Sequence, residues 1–86
     1  MNLKFTPTGW QHYLSWQNDK KTLAKINRLL ADILRNPFAG LGKPEALRGD
    51  KSGAWSRRID DANRVVYRLV RDEIEIEQCR GHYDDK

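Results

Sequence analysis

The chain's 86 residues suffice for one compact domain, residues 1–86. Its composition is 38% hydrophobic and 33% charged, and the regular spacing of the apolar positions excludes a disordered chain. One cysteine, Cys79, excludes an intrachain disulfide, and no apolar run approaches the length of a membrane span. With 16 basic against 12 acidic residues the formal charge is +4, which favours an anionic partner. No secretory leader pattern is visible, so a cytoplasmic protein without a membrane partner is expected.

Asn2–Phe5 reads as a short strand with Leu3 and Phe5 on one side. Thr6 and Pro7 then resemble the N-cap and first turn of a helix, with Trp10, Tyr13, Leu14 and Gln17 following at helical spacing. Trp10 and Trp16 are six apart and share no face well, so one packs on the sheet and the other is left for a partner. Asn18-Asp19 breaks this helix and caps a second, whose stripe is Leu23, Ile26, Leu29, Leu30, Ile33 and Leu34. Asn36-Pro37 ends it, because the residue before a proline resists the helical region. Residues 37–53 hold four glycines and two prolines and read as a loop.

Three strands follow, Ala54–Ile59, Arg64–Val70 and Ile74–Cys79, joined by links short enough for an antiparallel meander. In the middle strand Val65, Tyr67 and Leu69 face one way and Arg64 and Arg68 the other. Helices would cover the apolar face and leave the arginine face open. The expected fold is α+β, a two-layer sandwich of an N-terminal strand and two helices packed on a mainly antiparallel sheet. Trp55, Tyr67 and Phe38 read as packing residues rather than platforms for stacked bases.

Residues 42–71 carry eight basic side chains and four acids, whereas residues 72–86 carry six acids and two bases. An open sheet face with Arg57 or Arg58, Arg64 and Arg68 offers planar forks to phosphate oxygens, beside a Gly-rich loop that bears Lys43. The plainer role of such residues is to discourage edge pairing between sheets. Glu45 is the one acid between Asp32 and Asp50, next to Pro44. His82 follows the last strand, where strict alternation from Ile74 and Ile76 would aim it at the core unless Gly81 permits a bulge. A carboxylate, an arginine and a histidine suit RNA cleavage, because RNA carries its own nucleophile. The 2′-hydroxyl needs a base, the phosphate a cation and the leaving oxygen an acid. No metal-ligand cluster, Walker loop or dinucleotide fingerprint is present, so neither a metal nor a cofactor is expected.

At these residues the chain resembles the Txe/YoeB family of toxin–antitoxin modules, within the RelE-like superfamily. The matching segments are Trp10, Tyr13-Leu14, Trp16-Gln17, Asn36-Pro37-Phe38 and Gly40-Leu41-Gly42-Lys43-Pro44-Glu45. They continue through Gly53-Ala54-Trp55-Ser56-Arg57-Arg58-Ile59, Arg64-Val65-Val66-Tyr67 and Cys79-Arg80-Gly81-His82-Tyr83. The resemblance implies an mRNA endonuclease that acts on the translating 70S ribosome, a cognate YefM-like antitoxin, and a homodimer. It implies catalytic roles for Glu45, Arg64, His82 and the aromatic Tyr83, with Arg48 and Arg58 as supporting phosphate contacts. Gly81, where the family often has a bulkier residue, and the tail Asp84-Asp85-Lys86 depart from the pattern.

Two rival readings remain: a non-catalytic RNA- or ribosome-binding module, which needs only the arginines, and a regulatory partner of an antitoxin. Lys21, Lys25, Arg28 and Arg35 recur along one side of the second helix, as a basic stripe for ribosomal RNA or simply as its solvated face.

Overall fold

A computed structural model describes residues 1–82. The elements are β1 (Asn2–Phe5), α1 (Pro7–Leu14), α2 (Lys20–Arg35), β2 (Glu45–Ala46), a 3-10 turn (Gly49–Lys51), β3 (Trp55–Arg58), β4 (Arg64–Val70) and β5 (Glu73–Gln78). Both helices begin on side-chain caps. Thr6 Oγ1 accepts the Gly9 N–H at 3.0 Å and an Asp19 carboxylate oxygen accepts the Thr22 N–H at 3.1 Å. Asn36 closes α2 in an extended conformation, as the following proline requires. No helix among the described residues is long and apolar enough to cross a membrane.

The five strands form one mixed sheet in the order β1-β5-β4-β3-β2. β3, β4 and β5 make the expected antiparallel meander, and β1 joins its far edge in parallel with β5, Leu3 opposite Ile74 and Phe5 opposite Ile76. The 37–53 segment is less irregular than its composition suggests. Glu45-Ala46 pairs with Ser56-Trp55 as an edge strand, and the 3-10 turn closes the segment that follows.

One face of the sheet carries the main core. Trp16 from the α1–α2 connection and Ile26, Leu29, Leu30 and Ile33 from α2 pack against Ile59, Val65, Tyr67, Ile74, Ile76 and Cys79. Burial drives the Cys79 thiol up to about 12, so this residue acts as packing rather than as a nucleophile. Leu69, expected on the core face, is largely exposed near the end of β4. The opposite face is not wholly open, because Leu47 and Ala54 cover Val66 in a small second cluster.

The end of β5 departs from strict alternation. Tyr67 pairs with Ile76 but Val66 pairs with Gln78, so Glu77 is an extra residue in the ladder. The bulge reverses the parity beyond it. Cys79 becomes buried, and the chain then turns through Gly81 at φ +81° to leave His82 exposed. A β-carbon disfavours that left-handed conformation, which explains the glycine.

Candidate active site at the open face of the sheet

Alternation in β3 sends two adjacent arginines in opposite directions. Trp55, Arg57 and Ile59 share the helix side, whereas Ser56 and Arg58 face away from it. Arg57 is fully buried and its donors are consumed by the protein. It donates to Asp32 Oδ2 at 2.8 Å, the Leu41 carbonyl at 2.8 Å, the Asn36 carbonyl at 2.7 Å, the Ala39 carbonyl at 3.2 Å and Tyr67 Oη at 3.0 Å. The expectation that Arg57 binds phosphate is therefore corrected: it is the anchor of the 36–42 loop. Asp32 completes the anchor by accepting the Leu41 N–H at 2.8 Å, and Tyr67 Oη donates to the Pro37 carbonyl at 2.6 Å. The hydrogen bond from Arg57, followed by that from Leu41, holds the Asp32 carboxyl below its ordinary range.

The anchored loop delivers Lys43, Pro44 and Glu45 to β3. The Arg58 N–H donates to the Gly42 carbonyl at 2.6 Å. A β-carbon at Gly42 would stand 2.9 Å from Leu29 Cδ2 and 3.0 Å from the Arg58 carbonyl oxygen, at a φ of +78°, so only glycine fits there. A cleft of about 280 Å³ results, lined by Lys43, Pro44, Glu45, Ser56, Arg58 and Arg64. Glu45 lies opposite Ser56 and Arg58 opposite Arg64, which places the three charged residues on adjoining strands of one face.

The turn between β3 and β4 orients this cleft and was not singled out from sequence. The Asp60 carboxylate accepts the N–H groups of Ala62 at 2.9 Å and Asn63 at 2.8 Å, an arrangement that Asp-Asp-Ala-Asn favours locally. Arg64 Nη1 donates to the carbonyls of Asp60 at 2.5 Å and Asn63 at 3.0 Å, and Arg58 pairs with Asp61. Asn63 Oδ1 accepts the Gly81 N–H at 2.7 Å, while the Arg64 N–H donates to the Gly81 carbonyl at 3.0 Å. The residue before His82 is thus fastened to the backbone of Arg64.

From the other side, His12 Nδ1 accepts the Cys79 N–H at 3.2 Å, and Trp16 Nε1 donates to the Cys79 carbonyl at 2.9 Å. Burial, then the positive charge of Arg80, lowers the pKa of His12 and favours the neutral ring that this bond needs. The Arg80 guanidinium lies 3.8 Å from the centre of the Trp16 ring. Of the two helix tryptophans, Trp16 is the packed one. Trp10 is half exposed, stacked on Tyr13 with ring centres 5.8 Å apart.

The remaining candidates are scattered. Arg68 pairs with Glu77 at 2.6 Å and donates to the Ser52 carbonyl at 3.0 Å, away from the cleft lining. Arg48 is exposed before the 3-10 turn and is not among the lining residues. Lys21, Lys25, Arg28 and Arg35 are all exposed along α2. Phe38 is exposed, its ring centre 5.0 Å from that of Trp55. Tyr83 and the tail Asp84-Asp85-Lys86 lie outside the described residues. Among the described residues no three His, Cys, Asp or Glu side chains group as metal ligands.

A family profile described as a YoeB-like toxin of bacterial type II toxin–antitoxin system matches residues 5–83. The chain belongs to the YoeB-like toxin family. It is 54% identical to Toxin YoeB of Streptomyces coelicolor over 84 residues, covering 96% of this chain and all of the relative. Toxin YoeB of Escherichia coli K12 is 46% identical over 84 residues, with the same coverage. Among solved structures, the YoeB/ParE toxin of Agrobacterium tumefaciens superposes with a TM-score of 0.93 at 48% identity, over 96% of this chain and 100% of that one. A YoeB subunit of the heterotetrameric YoeB-YefM toxin-antitoxin complex from Staphylococcus aureus superposes at 0.87 with 42% identity, over 96% and 98%. YafQ of E. coli, at 14% identity and 0.78, shares the fold alone. In this YoeB-like toxin the cleft therefore sits on a fold common to family members and shared by the far more distant YafQ.

Proposed function

We propose that this YoeB-like toxin is an endoribonuclease that cleaves mRNA on the translating ribosome by acid–base catalysis, without a metal ion. The observation that carries the reading is the cleft itself, where one carboxylate, Glu45, shares a wall with Lys43, Arg58 and Arg64. Glu45 takes the proton of the ribose 2′-hydroxyl, and the 2′-oxygen attacks the adjacent phosphorus. Arg64 and Arg58 offset the charge that grows on the phosphate oxygens, with Lys43 at the rim. The bond to the 5′-oxygen breaks, and His82 gives that oxygen its proton, with Tyr83 completing the site. The products are a 2′,3′-cyclic phosphate and a free 5′-hydroxyl.

The partners follow from the relatives. A YefM-like antitoxin neutralises the toxin in the cytoplasm, as the S. aureus YoeB-YefM complex suggests, and the toxin forms a homodimer like that of S. aureus YoeB. Lys21 and Arg35, exposed towards the two ends of α2, meet ribosomal RNA.

The chemistry is tested with the purified toxin on ribosomes programmed with an mRNA whose cleavage point has been mapped. Replacing the scissile 2′-hydroxyl by 2′-O-methyl removes the nucleophile, so cleavage should stop and binding should persist. Cleavage that continues at the same bond, leaving a 3′-hydroxyl, would show water as the nucleophile and overturn the mechanism.

A further inference from the structure

A second cavity, of about 350 Å³, opens between α2 and the loop that carries Glu45. Its walls bring Lys25 and Arg28 together with Lys43 and Arg58, over the aliphatic side chains of Leu29 and Leu41. Among the described residues Arg58 alone of these four cations has an ion-pair partner, the exposed Asp61. Four like charges gathered here, offset only by the exposed Asp61 beside Arg58 and by Asp60 near Lys25, gain the fold little and raise the local concentration of anions. The absence of a β-carbon at Gly42 lets the loop lie directly against Leu29, which forms the apolar floor. Lys43 and Arg58 border both this cavity and the cleft, so the two form a continuous path.

We propose that this cavity is a subsite for the RNA nucleotide that flanks the scissile phosphate, with its own phosphate on Lys25 and Arg28 and its base on Leu29 and Leu41. The proposal rests on the reading of the cleft as an RNA site and extends it by one nucleotide. A nucleotide pairs an anion with an apolar ring face, which is the combination these walls present. The shared Lys43 and Arg58 make the occupant the same strand that fills the cleft. The α2 stripe is thereby divided: Lys25 and Arg28 serve the substrate strand, while Lys21 and Arg35 lie outside the cavity.

The test uses uncleavable 2′-O-methyl RNAs lengthened one nucleotide at a time, with affinity for the whole toxin read by fluorescence anisotropy across a salt series. The wild type should gain affinity in one step, roughly tenfold, the order that a seated base contributes. Lys25→Gln combined with Arg28→Gln should abolish the step and flatten the salt slope by about 0.7 per lost contact. Lys20→Gln combined with Arg71→Gln removes the same charge elsewhere on the exposed surface and should keep the step. Leu41→Asp, at an exposed position, should also abolish it by placing a negative charge on the floor. A step that survives in the Lys25/Arg28 variant, or a wild type with no step, overturns the subsite. So does a Lys25/Arg28 variant that keeps the step but loses affinity for an acidic peptide, since the cavity would then serve a protein. Cleavage of 2′-hydroxyl RNA is scored separately: cleavage without the step removes the subsite and keeps the nuclease, and the step without cleavage does the reverse.

Discussion

The two faces of the sheet treat the same residue type in opposite ways. On the helix side, Arg57 is fully buried and holds two loop carbonyls, a carboxylate and a tyrosine, as well as the carbonyl that ends α2. On the other side, its neighbour Arg58 is 40% exposed and among the described residues its side chain pairs only with Asp61, itself almost fully exposed. A buried guanidinium with its donors consumed cannot take a phosphate, but it can fix a loop. An exposed one on a short surface pair gives up little when a phosphate replaces its partner. The saturated face is thus the frame, and the under-used face is the tool.

The largest effect expected on the tool side comes from His82. His82→Ala should lower single-turnover cleavage on programmed ribosomes by about 10²–10⁴, with unchanged urea stability, because an acid on the leaving oxygen adds little to folding or ground-state binding. An unaltered rate removes His82 from the chemistry.

Next in size is the frame. Arg57→Ala leaves buried carbonyls and the Tyr67 hydroxyl without partners and should cost on the order of 3 kcal/mol in urea denaturation. Arg58→Ala should cost at most about 1 kcal/mol, since it breaks only a surface pair, while it weakens cleavage. Equal destabilisation by the two variants would erase the distinction between the faces.

A smaller effect is expected where the frame meets the tool. Asn63→Ala deletes the hydrogen bond to the Gly81 N–H, a link worth about 1 kcal/mol. It should lower kcat by roughly fivefold and leave KM unchanged. A change confined to KM would show that the turn binds substrate rather than holding the His82 segment.

The smallest and most selective test is acid. The folded Asp32 carboxyl titrates below its ordinary value, so its contribution to stability is complete above the unfolded pKa of about 4. That contribution is lost as pH falls through the lower, folded pKa. The urea midpoint followed from pH 6 to pH 2 should therefore contain a component that Asp32→Asn lacks. Identical pH profiles for the two proteins would mean that the loop anchor does not depend on the charge.

Much of this arrangement was legible beforehand, for local reasons. Thr6-Pro7, Asp19 and Asn36-Pro37 set helix ends through caps and the proline restriction, and the α2 stripe has the period of a helix against a sheet. The choice between Arg57 and Arg58 stayed open because two adjacent arginines look alike. The parity of Trp55 and Ile59 was the available signal for burying Arg57. Asp60-Asp61-Ala62-Asn63 was visible as a link, but that Asn63 reaches Gly81, 18 residues away, is written in no local pattern. The two-residue β2 was hidden because Glu45-Ala46 pairs only once β3 is beside it.

By itself, the sequence determined both helices, the four longer strands, the order of the meander and the residue types available for chemistry, because caps, turns and apolar periods act over a few residues. Tertiary structure alone decided which residues meet. The extra residue at Glu77 reverses the parity of the β5 end and turns His82 outward, and β1 finds its parallel partner in β5 from the opposite end of the described chain. The buried Arg57–Asp32 anchor brings Glu45 onto the face that bears Arg58 and Arg64. Each of these depends on contacts between distant segments, whose energies exist only after the chain has closed on itself.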